Sequence, residues 1–489
     1  MHFSCARSTV CEPLETGAPV DKGIEGIMEP STTVARAAAG AGRAAPAPAG
    51  SVAGAPDPGA FDRAKLEQAS GTSALADWLL RHPHRVISIV RWLTPVLRWP
   101  HCLRWLRWLR HIPLLSWITW VVVLRYDEVR EVLSKNLDFP VAWGGRMIEV
   151  TQGRNFVLGM PEDGAYRLSY QQLAQAFPRE DVAEYVARPA AAIAAEILAG
   201  KTGENPPVFD AIEDLIAAVP THLVERYYGI QIPDKAMFAN WTLAISSYLF
   251  GPSASDSGAA LARSAAAELR NAIRGSIAHA RNLPKDDPQL GKAMQRLIEM
   301  LPRSEDEVIH AQLFGMVMGF IPTNVLAGGN ILETLLRNPE FMRRARAAAQ
   351  ADDDDLLWRC LRETLRFRHI NPGPWRICPD GYTFGVGGPR EIRISPDSKV
   401  LAIIQSAMFD PRRIERPQVF DPDRRDEDYM VFGFGQHWCL GAYIAKAQLT
   451  QTFKPLLKMK PLQAVDNPQV RTTRFNDLFP LHLDVRFVA

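Results

Sequence analysis

The residues best suited to chemistry lie in one short run, FGFGQHWCLG, from Phe432 to Gly441. The sequence after it, AYIAKAQLTQTFKPLL, reads as a helix, so Cys439 falls at or just before a helix N-terminus. Unpaired backbone N–H groups and the positive end of the helix dipole gather there, and both favour a thiolate. Gly433, Gly435 and Gly441 clear side chains from around the sulfur, so that backbone can approach a flat cofactor. A thiolate held this way suits a haem iron, toward which it pushes electron density. Burial as an inert thiol is the ordinary fate of a lone cysteine. The glycines, aromatic residues and His437 around Cys439 argue against that fate here. Upstream, LRETLRFRH puts Glu363 and Arg366 on one face of a helix. Taken alone, such a pair is ordinary surface decoration.

Together these residues resemble the cytochrome P450 family. Its haem-binding loop reads Phe-x-x-Gly-x-(Arg or His)-x-Cys-x-Gly, and Phe432, Gly435, His437, Cys439 and Gly441 fill every fixed position. The resemblance covers 116–489. It implies a mainly α protein with the cytochrome P450 fold, a long distal helix over the haem and small β-sheets. It implies haem b, iron protoporphyrin IX, with Cys439 as the axial ligand of the iron and Phe432 packed near the thiolate. His437 and Arg376, the latter from PGPWRI, become propionate contacts. Glu363 and Arg366, closed by Arg424 of FDPDR, become a structural network beneath the haem and not catalysts. Segment 159–177 offers Tyr166, Arg167 and Tyr170 near the family's other propionate positions.

The activity implied is that of a monooxygenase, which inserts one oxygen atom of O2 into a small apolar organic substrate. No flavin or iron–sulfur domain is recognisable, so a separate ferredoxin, flavodoxin or reductase would supply electrons. The family's Ala-Gly-x-(Asp or Glu)-Thr-Thr falls on Gly319, Phe320, Ile321, Pro322, Thr323 and Asn324. Thr323 takes the catalytic, oxygen-activating place, and Pro322 stands where the family has an acid. Proline carries no proton and no N–H, so the Met318 carbonyl should lack its helical partner. A water shared by that carbonyl and Thr323 is the expected substitute relay. The missing acid keeps open a peroxide- or hydroperoxide-using haem-thiolate enzyme, a peroxygenase or hydroperoxide isomerase. A haem protein that binds a ligand without turnover is a third reading, against which Thr323 speaks. Trp143, Met147, Phe156, Phe320 and Ile321 are the expected pocket lining. Arg146 or Arg154 either binds a substrate carboxylate or faces solvent. Arg412, Arg413, Arg416, Arg424, Arg425 and Lys446 either steer an acidic partner or pair with the interleaved Asp421, Asp423, Asp426 and Asp428.

The elements that must position these residues follow from patterning. ITWVVVL (118–124) is β-branched and reads as a strand, with YDEVREVLSK as a helix behind it. Phe209, Ile212, Leu215, Ile216, Val219 and Leu223 form a core-facing helical stripe within 208–230. GPSASDSG (251–258) reads as a loop. Ser304 to Glu307 fits a capping box opening an apolar helix that runs to about Leu336. Asp352 to Asp355 open another helix, and 380–404 reads as short strands.

The chain has 489 residues, 47% hydrophobic and 22% charged, with a net charge of +2. That is globular composition, with room for about three domains or one large one. So small a net charge argues against a nucleic-acid binder. Cys5, Cys11, Cys102, Cys360, Cys378 and Cys439 show no CxxC spacing. Residues 1–75, rich in Ala, Gly and Pro, read as a disordered tail. Within the basic Trp-rich segment 76–115, the run HCLRWLRWLR repeats Leu, Trp and Arg every three residues. A helix of this kind lies in a membrane interface or packs on the main domain, and both readings stand. The absence of a spanning helix or signal pattern implies a cytoplasmic protein, with peripheral membrane contact through 78–115 under the first reading.

Overall fold

Trp120–Val123, three valines behind a tryptophan, form β1, the strand that the β-branched run leads one to expect. The computed structural model describes residues 120–488, apart from 162, 202–206, 252–254, 286, 288, 372, 388–390, 466–472 and 476–477. The expected tail at 1–75 and the Trp-rich segment at 76–115 lie outside the described residues.

Helices dominate. Chain order gives α1 (Tyr126–Ser134), α2 (Gly144–Thr151), α3 (Gly164–Ala176) and α4 (Arg188–Ala199). Then come α5 (Ala218–Leu223), α6 (Lys235–Phe250), α7 (Asp256–Ala280) and α8 (Lys292–Met300). The last are α9 (Asp306–Arg337), α10 (Pro339–Gln350), α11 (Asp354–Phe367), α12 (Ile404–Ala407) and α13 (Ala442–Lys458). Of the stripe read in 208–230, Ile212, Leu215, Ile216, Val219 and Leu223 are helical and buried, with wider turns flanking α5 on both sides, whereas Phe209 is buried in a two-residue strand ahead of them. The loop read at 251–258 is shorter than expected, because the Ser255 hydroxyl caps α7 by accepting the Gly258 N–H at 3.1 Å.

The sheets are small. β2 is Phe209–Asp210, β3 Trp375–Cys378, β4 Tyr382–Phe384, β5 Ile392–Ile394 and β6 Ser398–Ala402. After them come β7 (Leu462–Ala464), β8 (Thr473–Phe475), β9 (Phe479–His482) and β10 (Asp484–Phe487). β6 pairs in parallel with β1 and antiparallel with β3, which places Arg376 opposite Val400. That sheet carries Arg376 to its site.

α9 runs through the core: 32 residues, 25 of them buried, packed against α6, α7, α10 and α11. Residues 303–337 are long and apolar enough to cross a membrane, yet most of that stretch is buried inside the protein. It is a core helix. Its start differs from the expected capping box. The N-cap position is Glu305, with no side-chain cap, because Glu307 is taken by Arg274 of α7 at 3.0 and 3.1 Å. α11 starts as expected, with Asp353 accepting the Leu356 N–H at 2.8 Å.

Candidate active site

Glu363 and Arg366 are both fully buried on α11. The guanidinium donates to the carboxylate through Nε (2.9 Å) and a terminal nitrogen (2.7 Å). Arg424 adds a donor at 3.3 Å, the Tyr429 hydroxyl another at 2.8 Å and the Asp421 N–H a third at 3.0 Å. The remaining guanidinium donors reach the carbonyls of Pro417, Val419, Glu415 and Arg416. A buried ion pair is tolerable only when its hydrogen-bonding capacity is met in this way. The network therefore pins the chain from 415 to 429, the approach to the Cys439 loop. Arg424 is buried within it, which removes that residue from the expected exposed basic set. Arg412 pairs with Asp410, Arg425 with Asp428, and Lys446 with Asp355.

The loop itself is a series of tight turns. Gly433 and Gly435 have φ of +79° and +73°, a region that L side chains avoid. At Gly435 a Cβ would also lie 2.5 Å from the Leu133 carbonyl oxygen. The demand for glycine there comes from α1 and not from the sulfur. The Cys439 N–H donates to the Phe432 carbonyl at 3.0 Å, and the Gly441 N–H donates to the Cys439 sulfur. Cys439 stands just ahead of α13, whose N-cap is Gly441. Burial pushes its thiol up to about 11, against the Gly441 amide. The helix end alone does not make the thiolate that the sequence suggests. A bound cation would, since a coordinated thiol is deprotonated.

Cys439 opens on a cavity of about 310 Å³ that Thr323 of α9 also lines. Its walls are largely apolar. Trp143, Phe156 and Phe320 line it as expected, joined by Val157, Leu158, Tyr228, Met316 and Ile370. Met147 and Ile321 do not. Both are fully buried in the core, Met147 on the inward face of α2 and Ile321 on a face of α9 turned from the cavity. Gly315 lets Phe156 press on α9, where a Cβ would lie 2.0 Å from the ring. Tyr166 and Tyr170, one helical turn apart on α3, line the cavity with their rings stacked at 6.0 Å. Arg167 points off that stripe and is exposed, so it is no part of the site. Arg146 does not reach the cavity either, since it donates to the carbonyls of Tyr248 and Gly251. Arg154 is exposed.

The Thr323 hydroxyl donates to the Gly319 carbonyl at 2.5 Å, the natural reach of a helical threonine, and not toward Met318. Asn324 donates to the Phe320 carbonyl at 2.8 Å. α9 runs through Pro322 without a break.

One feature of the cavity asks for an anion. Arg376 is 3% exposed and has no carboxylate partner among the described residues. It donates to the Trp375 carbonyl at 3.1 Å, stacks 5.2 Å from the Trp143 ring, and leaves its Nε without a partner. Burial pulls it down to about 10. His437, edge-on to Tyr166 at 5.8 Å, is pulled down to about 4 by burial and then by Arg376. An unpaired buried cation is costly, and carboxylates brought by a ligand would relieve it. A sulfur ligand, apolar walls and an uncompensated guanidinium fit a haem with its two propionates.

This combination of a long buried helix, a Gly-rich cysteine loop and a closed Glu–Arg–Arg network defines a haem-thiolate class of site. The Cytochrome P450 family model matches residues 279–460. A steroid C26-monooxygenase of Mycobacterium tuberculosis is 26% identical over 256 residues, covering 52% of this chain and 64% of that protein. The cyclomarin C epoxidase CymV of Salinispora arenicola is 25% identical, covering 53% of this chain and 62% of that protein. The cytochrome P450 BJ-1 homolog of Sinorhizobium fredii is 26% identical, covering 69% and 82%. The chain thus matches less than two thirds of the length of the first two of these relatives. The ligand-free structure of cytochrome P450 TbtJ1 superposes with a TM-score of 0.61 at 22% identity, covering 79% of this chain and 97% of that one. Over these residues the chain is similar to cytochrome P450 proteins, and its fold is theirs. The family binds haem b through a cysteine thiolate.

Sequence reasoning missed Tyr228, Tyr429 and His369. Tyr228 comes from a distant segment, whereas Tyr429 and His369 lie three residues from Phe432 and Arg366, where no local pattern marks them.

Proposed function

We propose that this protein is a haem-thiolate monooxygenase that inserts one oxygen atom of O2 into a small apolar organic molecule. The observation that carries it is that Cys439, Thr323 and the unpaired Arg376 line one apolar cavity. Haem supplies the oxidising chemistry when bound. Cys439 would hold its iron. Arg376 and His437 would hold its propionates, with Tyr166 and Tyr170 at the same rim. Phe432 and the glycine turns shape the loop around the sulfur. Trp143, Phe156 and Phe320 exclude water and orient an apolar substrate by contact alone. Thr323 carries the exchangeable proton on the cavity wall, and release from the Gly319 carbonyl frees its hydroxyl to donate. Glu363, Arg366 and Arg424 hold the scaffold and take no part in the chemistry. Electrons come from a separate ferredoxin, flavodoxin or reductase.

Pro322 in the acid position favours a second reading, in which a peroxide or hydroperoxide is the oxidant and no redox partner is needed. One experiment separates the two. Fatty acids, terpenes and aromatics are screened by their optical shift on the purified protein. Those that bind are then turned over with isotopically labelled O2 and a ferredoxin system, beside unlabelled peroxide. Label in the product supports the monooxygenase. Product from peroxide alone supports the second reading, and no change in any bound ligand overturns both.

A further inference from the structure

His369 stands two residues beyond α11, buried at the edge of the cavity. Its Nε2 lies 3.2 Å from the Val431 carbonyl oxygen, and the Asn371 N–H donates to its Nδ1 at 3.2 Å. A proton on Nε2 lets the ring donate to the Val431 carbonyl and accept the Asn371 N–H, whereas a proton on Nδ1 would face the Asn371 carbonyl instead. The Asn371 carbonyl also abuts Nδ1. Burial lowers the pKa of the ring and keeps it neutral.

Val431 is the residue from which the cysteine loop departs. The next carbonyl, that of Phe432, accepts the Cys439 N–H. Two successive carbonyls of the loop are therefore held, one by His369 and one by Cys439 itself. On its other side, the His369 carbonyl accepts from Asn330 of α9 at 3.3 Å. A single residue thus links the helix that carries Thr323 to the loop that carries the sulfur. A phenylalanine would fill the same space without the cost of burying ring nitrogens, so packing alone does not account for a histidine here.

We infer that His369 is a positioning residue. Its Nε2–H bond to the Val431 carbonyl fixes the Cys439 loop relative to α9 and keeps the thiolate on the iron. The inference rests on Cys439 being the haem ligand. It adds a link that lies outside both the Glu363 network and the cysteine loop.

The test uses haem-loaded, reduced protein under carbon monoxide, where thiolate-ligated and thiolate-lost forms absorb at different wavelengths. The net worth of one such hydrogen bond predicts that His369→Phe raises the ratio of lost to ligated form about 5-fold. His369→Gln, whose amide reaches as far as Nε2 and can donate to Val431, should restore the wild-type ratio. If the Phe variant fails to fold, His369→Asn replaces it. Its shorter amide cannot reach Val431, so it should raise the ratio where Gln does not. An unchanged ratio in the Phe variant, or equal loss in Gln and the shorter or apolar variant, overturns the inference. A wild-type protein with no thiolate band overturns the haem-ligand assignment instead, so the two failures are distinguishable.

Discussion

Replacing Arg376 with methionine should have opposite effects on the bare chain and on its affinity for haem. The guanidinium is buried with no carboxylate partner among the described residues, and burial alone pulls it down to about 10. Lowering a basic group in the folded state means that folding disfavours its charged form. At neutral pH, below both its folded and unfolded values, that penalty is present in full. A drop of this size from the ordinary guanidinium value corresponds to about 3 kcal/mol. The variant also loses the hydrogen bond to the Trp375 carbonyl and the stacking on Trp143, about 1 kcal/mol each. Haem-free Arg376→Met should therefore be more stable than wild type by about 1 kcal/mol. The same change removes a charged hydrogen bond to a propionate, so haem should bind about 10- to 100-fold more weakly. Urea unfolding of the haem-free protein gives the first quantity, and haem transfer to an acceptor protein gives the second. A destabilised haem-free variant that keeps wild-type haem affinity would refute the reasoning.

Three other substitutions test other parts of the site. Glu363→Gln leaves two buried guanidinium groups without their carboxylate and should cost about 3–5 kcal/mol in urea unfolding; a loss under about 1 kcal/mol would mean the network is not a scaffold. Gly435→Ala places a Cβ 2.5 Å from the Leu133 carbonyl at positive φ and should lower haem content, measured as the ratio of haem to protein absorbance, whereas Gly441→Ala meets only the Cys439 sulfur at 4.0 Å and should be milder. Thr323→Val should uncouple O2-driven turnover by about 10²–10⁴-fold while sparing peroxide-driven turnover, read as product per reductant consumed; equal effects on both would remove Thr323 from proton delivery.

The cysteine loop and the Glu363–Arg366 pair were legible because backbone sterics and burial confine them to short, fixed spacings. Strand β1 and helices α1, α11 and α13 were legible because propensity and capping agree locally. The last strands, β7 to β10, left no clear signal. They are short, and β2, β7 and β10 form one sheet from segments distant in sequence. The capping box failed because Arg274, remote in sequence, competes for Glu307. Met147 and Ile321 were misassigned because an apolar side chain suits a core and a pocket equally well; only the direction of its helix face decides. Arg167 and Tyr166 differ for the same reason. Sequence gave their neighbourhood, while the helical phase of α3 chose the tyrosines.

The central claim is that Cys439 holds a haem iron as a thiolate. The direct measurement is the carbon monoxide difference spectrum of the reduced protein, wild type beside Cys439→Ser. The account predicts the thiolate-type band in wild type and its complete loss in the variant. A thiolate band that survives in Cys439→Ser, or one missing from a haem-loaded wild type, would contradict it.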